Sequence, residues 1–340
     1  MQRQAPMHSK GTGLLARAGI LGIAAAAVLI ATASPAMAAH HDDYKGWFVS
    51  LDAAMTQPNG LDQQYANIVE PVSGLTTRNV MDNDGDFTWA LKVGYSWGEL
   101  GGLAVSYWSF DNEDTINTTE STNYVYPTVF GAYGYNNGGT YALVGPVDFT
   151  ATSKTKASVV DLDYDRPMHA GEKLTVDWIA GLRSATFEED RAFDSGLDSG
   201  GYYVHQTHHM KSDAFGVKVG ARVNFGFTEH FSLQGLMAYS FMQANTDGQA
   251  TQNAGGTLDE IDSSDDHVMG EIRDYDVRAV WNWNAFDFFV GYGGQTWEGL
   301  VADPIEGSCC GASGSGRSTR DSIAFNSAHA GVTFRFGGKH

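Results

Sequence analysis

Apolar and polar residues alternate in about ten segments between Trp47 and Phe336, and the gaps between the segments are alternately long and very short. The clearest segment runs from Phe87 to Trp97, where every second residue is a large apolar one and the residues between are small or polar. Residues two apart in a strand share a face, so this segment has one face for hydrocarbon and one for polar groups. Transmembrane β-barrels have short turns at one end and long loops at the other, so the pattern predicts such a barrel.

The pattern predicts ten antiparallel spanning strands that form an up-and-down barrel, each near or above the ~9–11 residues that a tilted strand needs to cross. These strands are 46–55, 86–97, 102–111, 156–166, 173–186, 212–227, 231–243, 271–283, 286–297 and 322–336. Four tight turns (98–101, 167–172, 228–230 and 284–285) alternate with five long loops (56–85, 112–155, 187–211, 244–270 and 298–321). Both termini are therefore expected on the periplasmic side.

The second long loop leaves twelve strands open as an alternative. Tyr124-Val125-Tyr126 and Tyr141-Ala142-Leu143-Val144 flank an Asn/Gly turn and together resemble a β-hairpin. Pro127, Gly131 and Pro146 interrupt this pattern, which suits a folded loop better than two wall strands. We therefore expect ten strands.

Residues 1–38 have the features of a cleaved signal peptide. Three basic residues and no acidic ones precede or flank an apolar stretch from Ala18 to Ala33, and Ala36-Met37-Ala38 provides a cleavage site. The rest, 39–340, is expected to be one barrel domain, since no linker or change in composition divides it. Because no other apolar run approaches the length of a spanning helix, a closed barrel is the expected way for this chain to cross a membrane.

Loss of the signal peptide would move the formal net charge from -19 to -22. Such a charge argues against nucleic acid as a partner. The expected partners are outer-membrane lipid and lipopolysaccharide and the barrel-assembly machinery, and a homo-oligomer stays open. No cofactor is expected.

The register opposite the apolar one carries the candidate lumen residues. Acids and bases in it are nearly balanced, which fits ion pairs across a closed lumen and equally a narrow pore with charged walls. A ten-strand barrel leaves at most a narrow passage. The predicted pore-lining residues are Lys92, Asp161, Asp163, Asp165, Asp177, Arg183, Lys218, Arg222, Asp274, Asp276, Arg278 and Arg335, with Asp52 and Asp287 in the same register.

Several strands resemble the Legionella-type major outer-membrane protein family, a group of pore-forming β-barrels. The similar runs are Val159 to Arg166 with Leu174 to Arg183, then Phe215 to Ala221, then Gly331 to Phe336. The resemblance implies a pore-forming outer-membrane protein and supplies no catalytic residue. One departure is that Gly337-Gly338-Lys339-His340 follows the aromatic Phe336, whereas strands of this class usually finish on a terminal aromatic.

Other candidate chemistry is weaker. His205, His208 and His209 are candidates for a transition-metal site, although a loop lacks the fixed spacing that makes such a set convincing. The adjacent Cys309 and Cys310 can form a strained vicinal disulfide or stay as thiols. A hydrolase is a further alternative, because His329 and Ser327 share the inward face of the last strand, yet no nucleophile motif accompanies them.

The sequence therefore predicts a non-enzymatic outer-membrane barrel that forms a narrow, cation-preferring pore for ions and small solutes. Cation preference is expected because most of the acidic excess lies in the loops at one mouth. The alternatives are a structural or adhesive surface barrel with a salt-bridged, closed lumen, and an outer-membrane hydrolase.

Overall fold

The structure is a computed structural model that describes residues 44–61, 63–81, 85–129, 142–169, 173–301 and 322–337. The predicted signal peptide and the cysteine pair lie outside these residues. Within them, no helix is long and apolar enough to cross a membrane.

Ten strands close into an antiparallel barrel, as predicted. In chain order the barrel strands are β1 (Lys45–Asn59), β4 (Asp86–Trp97), β5 (Gly102–Glu120), β8 (Val147–His169), β9 (Leu174–Ser195), β10 (Val204–Gly226), β11 (Phe231–Ala254), β12 (Thr257–Trp283), β13 (Phe286–Glu298) and β14 (Ser322–Phe336). Each pairs with the next barrel strand along the chain, and β1 closes the ring by pairing with both β4 and β14. The end that carries the tight turns is called here the turn end, and the opposite one the loop end.

The outward register is apolar, because this face meets lipid rather than water. On β10 the side chains of Phe215, Val217 and Val219 are 59%, 51% and 50% exposed. The same register continues on the neighbouring strand β11 with Leu233, Met237 and Phe241. These are the stripes that the alternation assigns to the lipid face.

Several predicted loops are wrong in their extent. Strand β9 runs on to Ser195 and β10 begins at Val204, while β11 and β12 are joined only by Gly255 and Gly256. Strands β5 and β8 also extend far into the predicted second loop. Beyond the apolar stripes, the outward face of these extensions carries polar residues. The alternation of apolar and polar residues that marks the spanning segments is therefore lost there, although the strands continue.

The four remaining strands form a separate sheet, named here the cap sheet. It contains β2 (Gln63–Val69), β3 (Thr76–Met81), β6 (Tyr124–Pro127) and β7 (Leu143–Val144), in the order β3-β2-β6-β7. Strands β6 and β7 are the hairpin-like runs of the second loop, and they pair with each other outside the wall. The preference for ten wall strands over twelve is therefore confirmed.

The cap sheet packs on the inward face of the barrel extensions at the loop end. Buried Tyr65, Val125 and Leu143 of the cap sheet belong to one apolar cluster with Phe149 of β8 and Phe193 of β9. The rings of Phe149 and Phe193 stack with centroids 5.2 Å apart. The cap sheet is thus held to the inward face of the barrel extensions by apolar contacts.

Candidate functional site

The chemistry of the lumen changes along the barrel axis. Nearest the turn end the inward register carries charged residues, and the layer directly beyond it carries apolar ones. Still nearer the loop end the register is mixed and includes a buried ion pair between Arg191 Nε and Glu189 Oε1 at 2.8 Å. The change from charged to apolar takes one step of the register: Asp161 is followed by Val159 on β8, Arg183 by Ala185 on β9, and Asp274 by Ile272 on β12. All six side chains are buried.

The charged layer is tied together by ion pairs that cross the lumen. Arg183 donates from Nε and Nη2 to the two oxygens of Asp161, at 2.6 and 2.7 Å, and from Nη1 to Oδ2 of Asp274 at 2.7 Å. Lys218 Nζ contacts Asp161 Oδ2 at 2.6 Å and Asp163 Oδ2 at 2.9 Å. Paired, hydrogen-bonded charges of this kind tolerate burial that an isolated charge would not.

Nearer the turn end, Arg222 and Arg278 make longer and less buried pairs. Arg222 Nη1 lies 3.2 Å from Asp165 Oδ2 and 3.4 Å from Asp177 Oδ2. Arg278 Nε lies 3.1 Å from Asp276 Oδ2, and its guanidinium carbon is 5.0 Å from the centre of the Phe289 ring. Arg335 pairs with Asp287.

His329 joins three strands through two carboxylates. Its Nδ1 lies 2.9 Å from Asp52 Oδ2 and its Nε2 lies 2.9 Å from Asp276 Oδ1. Only the protonated ring donates from both nitrogens, so this geometry fits the imidazolium form. The sequence reading placed this histidine on the inward face but did not include it among the lumen charges.

Two adjoining cavities occupy the charged layer. One of about 230 Å³ reaches the turn end beside Tyr44 and Gly101, and one of about 250 Å³ lies deeper and ends against Trp108 and Phe325. All fourteen charged residues of the predicted lumen register line one or both cavities. We call the two cavities together the vestibule.

A group of aromatic residues, named here the aromatic plug, closes the vestibule toward the loop end. Phe325 of β14 contacts Trp108 and Phe110 of β5, with ring centroids 5.4 and 5.2 Å apart. It also contacts Trp297 of β13 at 5.8 Å, and Trp297 lies 6.5 Å from Phe187 of β9. The contacts reach from β5 to β9 by way of β13 and β14, so the plug crosses the lumen.

Because Trp297 lies near a strand end, its hydrophobicity alone predicts a place in an aromatic belt at the membrane surface, and that prediction is wrong. Trp297 is 1% exposed and shares the inward register of β13 with Asp287 and Phe289. Counting residues from Asp287 would have identified it, because side chains ten positions apart in a regular strand share a face.

The three histidines do not converge. They lie in strand β10 rather than in a loop, so His208 points inward and is buried while His205 and His209 point outward. The Nδ1 atoms of the outward pair contact Asp194 at 2.5 Å and Asp190 at 2.6 Å. No group of three or more His, Cys, Asp or Glu side chains suited to a metal ion occurs in the described part of the chain.

Ser327 and His329 do not form a nucleophile and base pair. The Ser327 hydroxyl lies 2.7 Å from the Thr56 hydroxyl, and both nitrogens of His329 face carboxylates. A general base must instead present a free nitrogen to the hydroxyl that it activates.

The closed barrel, its apolar outer face and its charged lumen define an outer-membrane β-barrel protein. The chain belongs to the family of the Legionella pneumophila major outer membrane protein precursor, whose model matches residues 42–272. No curated protein matches the chain significantly.

Solved structures with a similar fold are distant. The outer membrane protease OmpT from Escherichia coli aligns with 9% identity and a TM-score of 0.47, over 87% of this chain and 98% of that chain. The Pseudomonas putida toluene transporter TodX aligns with 10% identity and a TM-score of 0.31, over 87% and 91%. The Ralstonia pickettii toluene transporter TbuX aligns with 10% identity and a TM-score of 0.25, over 86% and 90%. Likenesses this weak carry no argument about activity.

Proposed function

We propose that the protein is a narrow, non-enzymatic pore for ions and small solutes whose lumen is closed at the aromatic plug in the conformation described here. The observation that carries the proposal is the vestibule, a charged cavity that reaches the turn end and ends at Trp108 and Phe325. A barrel built only to hold a surface scaffold has no need of such a polar cavity in its lumen.

The proposed cation preference is supported by the charge at the loop end. Between Thr257 and Gly270, strand β12 carries five carboxylates and no lysine or arginine. These are Asp259, Glu260, Asp262, Asp265 and Asp266, all exposed in the structure. Exposed carboxylates concentrate cations and repel anions within a screening length of ~8 Å at physiological ionic strength.

A structural or adhesive barrel with a closed lumen is the second candidate. It is favoured by Arg183, which is 2% exposed and bridges β8 and β12 across the lumen. A hydrolase is supported less well, because His329 is engaged by two carboxylates and Ser327 by a threonine.

Conductance of the refolded protein in a planar bilayer separates these functions. The plug variant Trp108→Ala/Phe325→Ala removes two rings of the closure, so we expect a conductance several-fold above that of the unmodified protein. Tyr107→Ala, on the lipid-facing side of the same strand, is the matched control and should leave conductance unchanged.

Reversal potentials in a salt gradient then test the selectivity. Cation preference that weakens as salt rises would support the electrostatic argument, whereas anion preference would refute it. No conductance in either the unmodified protein or the plug variant, with both correctly folded, would favour the structural barrel.

A further inference from the structure

Charge pairing in the vestibule is complete for the acids and incomplete for the bases. Each of the eight lumen carboxylates has a cationic nitrogen within 3.4 Å. Those nitrogens belong to Arg183, Lys218, Arg222, His329 and Arg335, with Arg278 adding a second contact to Asp276. Among the residues that the structure describes, Lys92 is the lumen cation without an ion pair.

Lys92 lies where the two cavities adjoin. It lines both of them, and so do Ser50, Arg222 and Arg278. Its Nζ is 6.0 Å from the centre of the Phe48 ring. Asp163 and Asp165 attract it only at a distance, and Arg222 and Lys218 repel it. An ammonium group withdrawn from bulk water with no carboxylate in direct contact is unfavourable, so the position favours a negatively charged occupant.

The neighbouring arginines have N–H groups that contact no carboxylate in the described part of the chain. Arg222 uses Nη1 for both of its carboxylate contacts, and Arg278 approaches Asp276 through Nε. Within the described part of the chain, Nη2 of Arg222 and both Nη atoms of Arg278 have no carboxylate partner. The hydroxyl of Ser50 accepts from Thr333 at 2.9 Å and keeps its own proton for donation. Forked guanidinium donors beside an ammonium match the geometry of carboxylate and phosphate oxygens.

We propose that the junction of the two cavities is a binding site for a small oxyanion, a carboxylate or a phosphate, held by Lys92, Arg222, Arg278 and Ser50. Either cavity alone, at about 230 and 250 Å³, is large enough for an ion of this size. A bound anion would add negative charge to the wall, so the site is compatible with cation preference at the loop end. Binding does not require conduction, and the site can therefore be tested independently of the pore.

Calorimetric titration of the folded, full-length protein in detergent tests the site, with inorganic phosphate and acetate as probes and sodium chloride at equal ionic strength as the reference. We expect at least one oxyanion to bind with a defined stoichiometry of one, and the tighter of the two to identify the class. Lys92→Gln removes one charged donor and should weaken binding roughly tenfold or more, whereas Lys92→Arg should restore most of it.

Lys154→Gln is the matched control, since it removes a lysine at the loop end that pairs with Glu113 on the surface. It should leave oxyanion binding unchanged. Ser50→Ala keeps every charge and should weaken binding about three- to tenfold, so the site remains testable if Lys92→Gln does not fold. The proposal is overturned if neither oxyanion binds beyond the chloride reference, or if Lys92→Gln and Ser50→Ala fold and bind as the unmodified protein does.

Discussion

Arg183 and Asp274 meet across the lumen, where Nη1 of the arginine donates to Oδ2 of the aspartate at 2.7 Å from a strand three positions away around the barrel. The same guanidinium holds both oxygens of Asp161 on the adjacent strand. The Arg183 side chain therefore links β8, β9 and β12 within the charged layer, next to the aromatic plug on the turn-end side.

Loss of the ion pairs of Arg183 should strongly destabilise the folded barrel. Arg183→Met leaves Asp161 with Lys218 alone and Asp274 without its cation, and breaking a buried pair on one side typically costs ~3–5 kcal/mol. Unfolding by urea in detergent micelles, followed by the heat-dependent shift in gel mobility, measures the change. Lys154→Gln, which breaks an exposed pair, should unfold at nearly the same urea concentration as the unmodified protein. Equal stability of the two variants would show that the cross-lumen bridge adds nothing.

The period of two in the sequence was enough to predict the ten strands and the face on which each charged residue lies. It could not predict which acid pairs with which base, because that depends on how far neighbouring strands are staggered around the barrel. Arg183 illustrates this: its pairing with Asp161 is between adjacent strands, while its pairing with Asp274 exists only because the barrel closes. The role of these residues in lining a pore stays a prediction.

Apolar residues in the lumen register were overlooked for a different reason. Phe325 and Trp297 look like lipid-facing residues if hydrophobicity alone is considered, and only the count from a known inward residue reverses that assignment. Only part of the cap sheet was predictable. The hairpin-like runs that form β6 and β7 show in the sequence, whereas β2 and β3 are short and the sheet joins strands from two different loops.

A new positive charge should destabilise the barrel more at a lipid-facing position of β5 than at the adjacent lumen-facing position. Val105 is 50% exposed on the lipid face, in the middle of the predicted span, so Val105→Lys should cost ~2–4 kcal/mol. Ser106 lines the deeper cavity and its Cα is paired with that of Asp161, so Ser106→Lys should cost less. Equal losses of heat-resistant barrel in the two lysine variants would contradict the assigned faces.

The orientation in the membrane can be tested by labelling of single cysteines in a background without Cys309 and Cys310. Ser199→Cys and Asp259→Cys lie at the loop end, and Glu99→Cys and Glu229→Cys lie at the turn end; all four positions are exposed. We expect an impermeant thiol reagent to label the first two on intact cells. The other two should react only after the outer membrane is opened. The reverse pattern would place the loop end in the periplasm.

The Asp198 carboxylate connects the cap sheet to the turn between β9 and β10 through hydrogen bonds. Its Oδ2 accepts from the backbone N–H of Val144 in β7 at 2.9 Å, and its Oδ1 accepts from those of Gly200 and Tyr202 at 2.8 Å. Although burial favours the neutral acid, these N–H donors hold the pKa of Asp198 below its ordinary value. A carboxylate with a lowered pKa stabilises the fold above its unfolded pKa, near 4, and this contribution is lost as the pH falls through the folded pKa.

Asp198→Asn should therefore destabilise the protein at pH 7 by about 1–3 kcal/mol, the contribution of hydrogen bonds to a charged group. The difference from the unmodified protein should shrink below pH ~4 and vanish once the carboxyl of the unmodified protein is protonated. Thermal unfolding midpoints of the two proteins across this pH range measure it, with Asp259→Asn at an exposed position of β12 as the control. A difference that stays constant down to pH ~2 would mean that the amide disturbs the turn for reasons other than the lost charge.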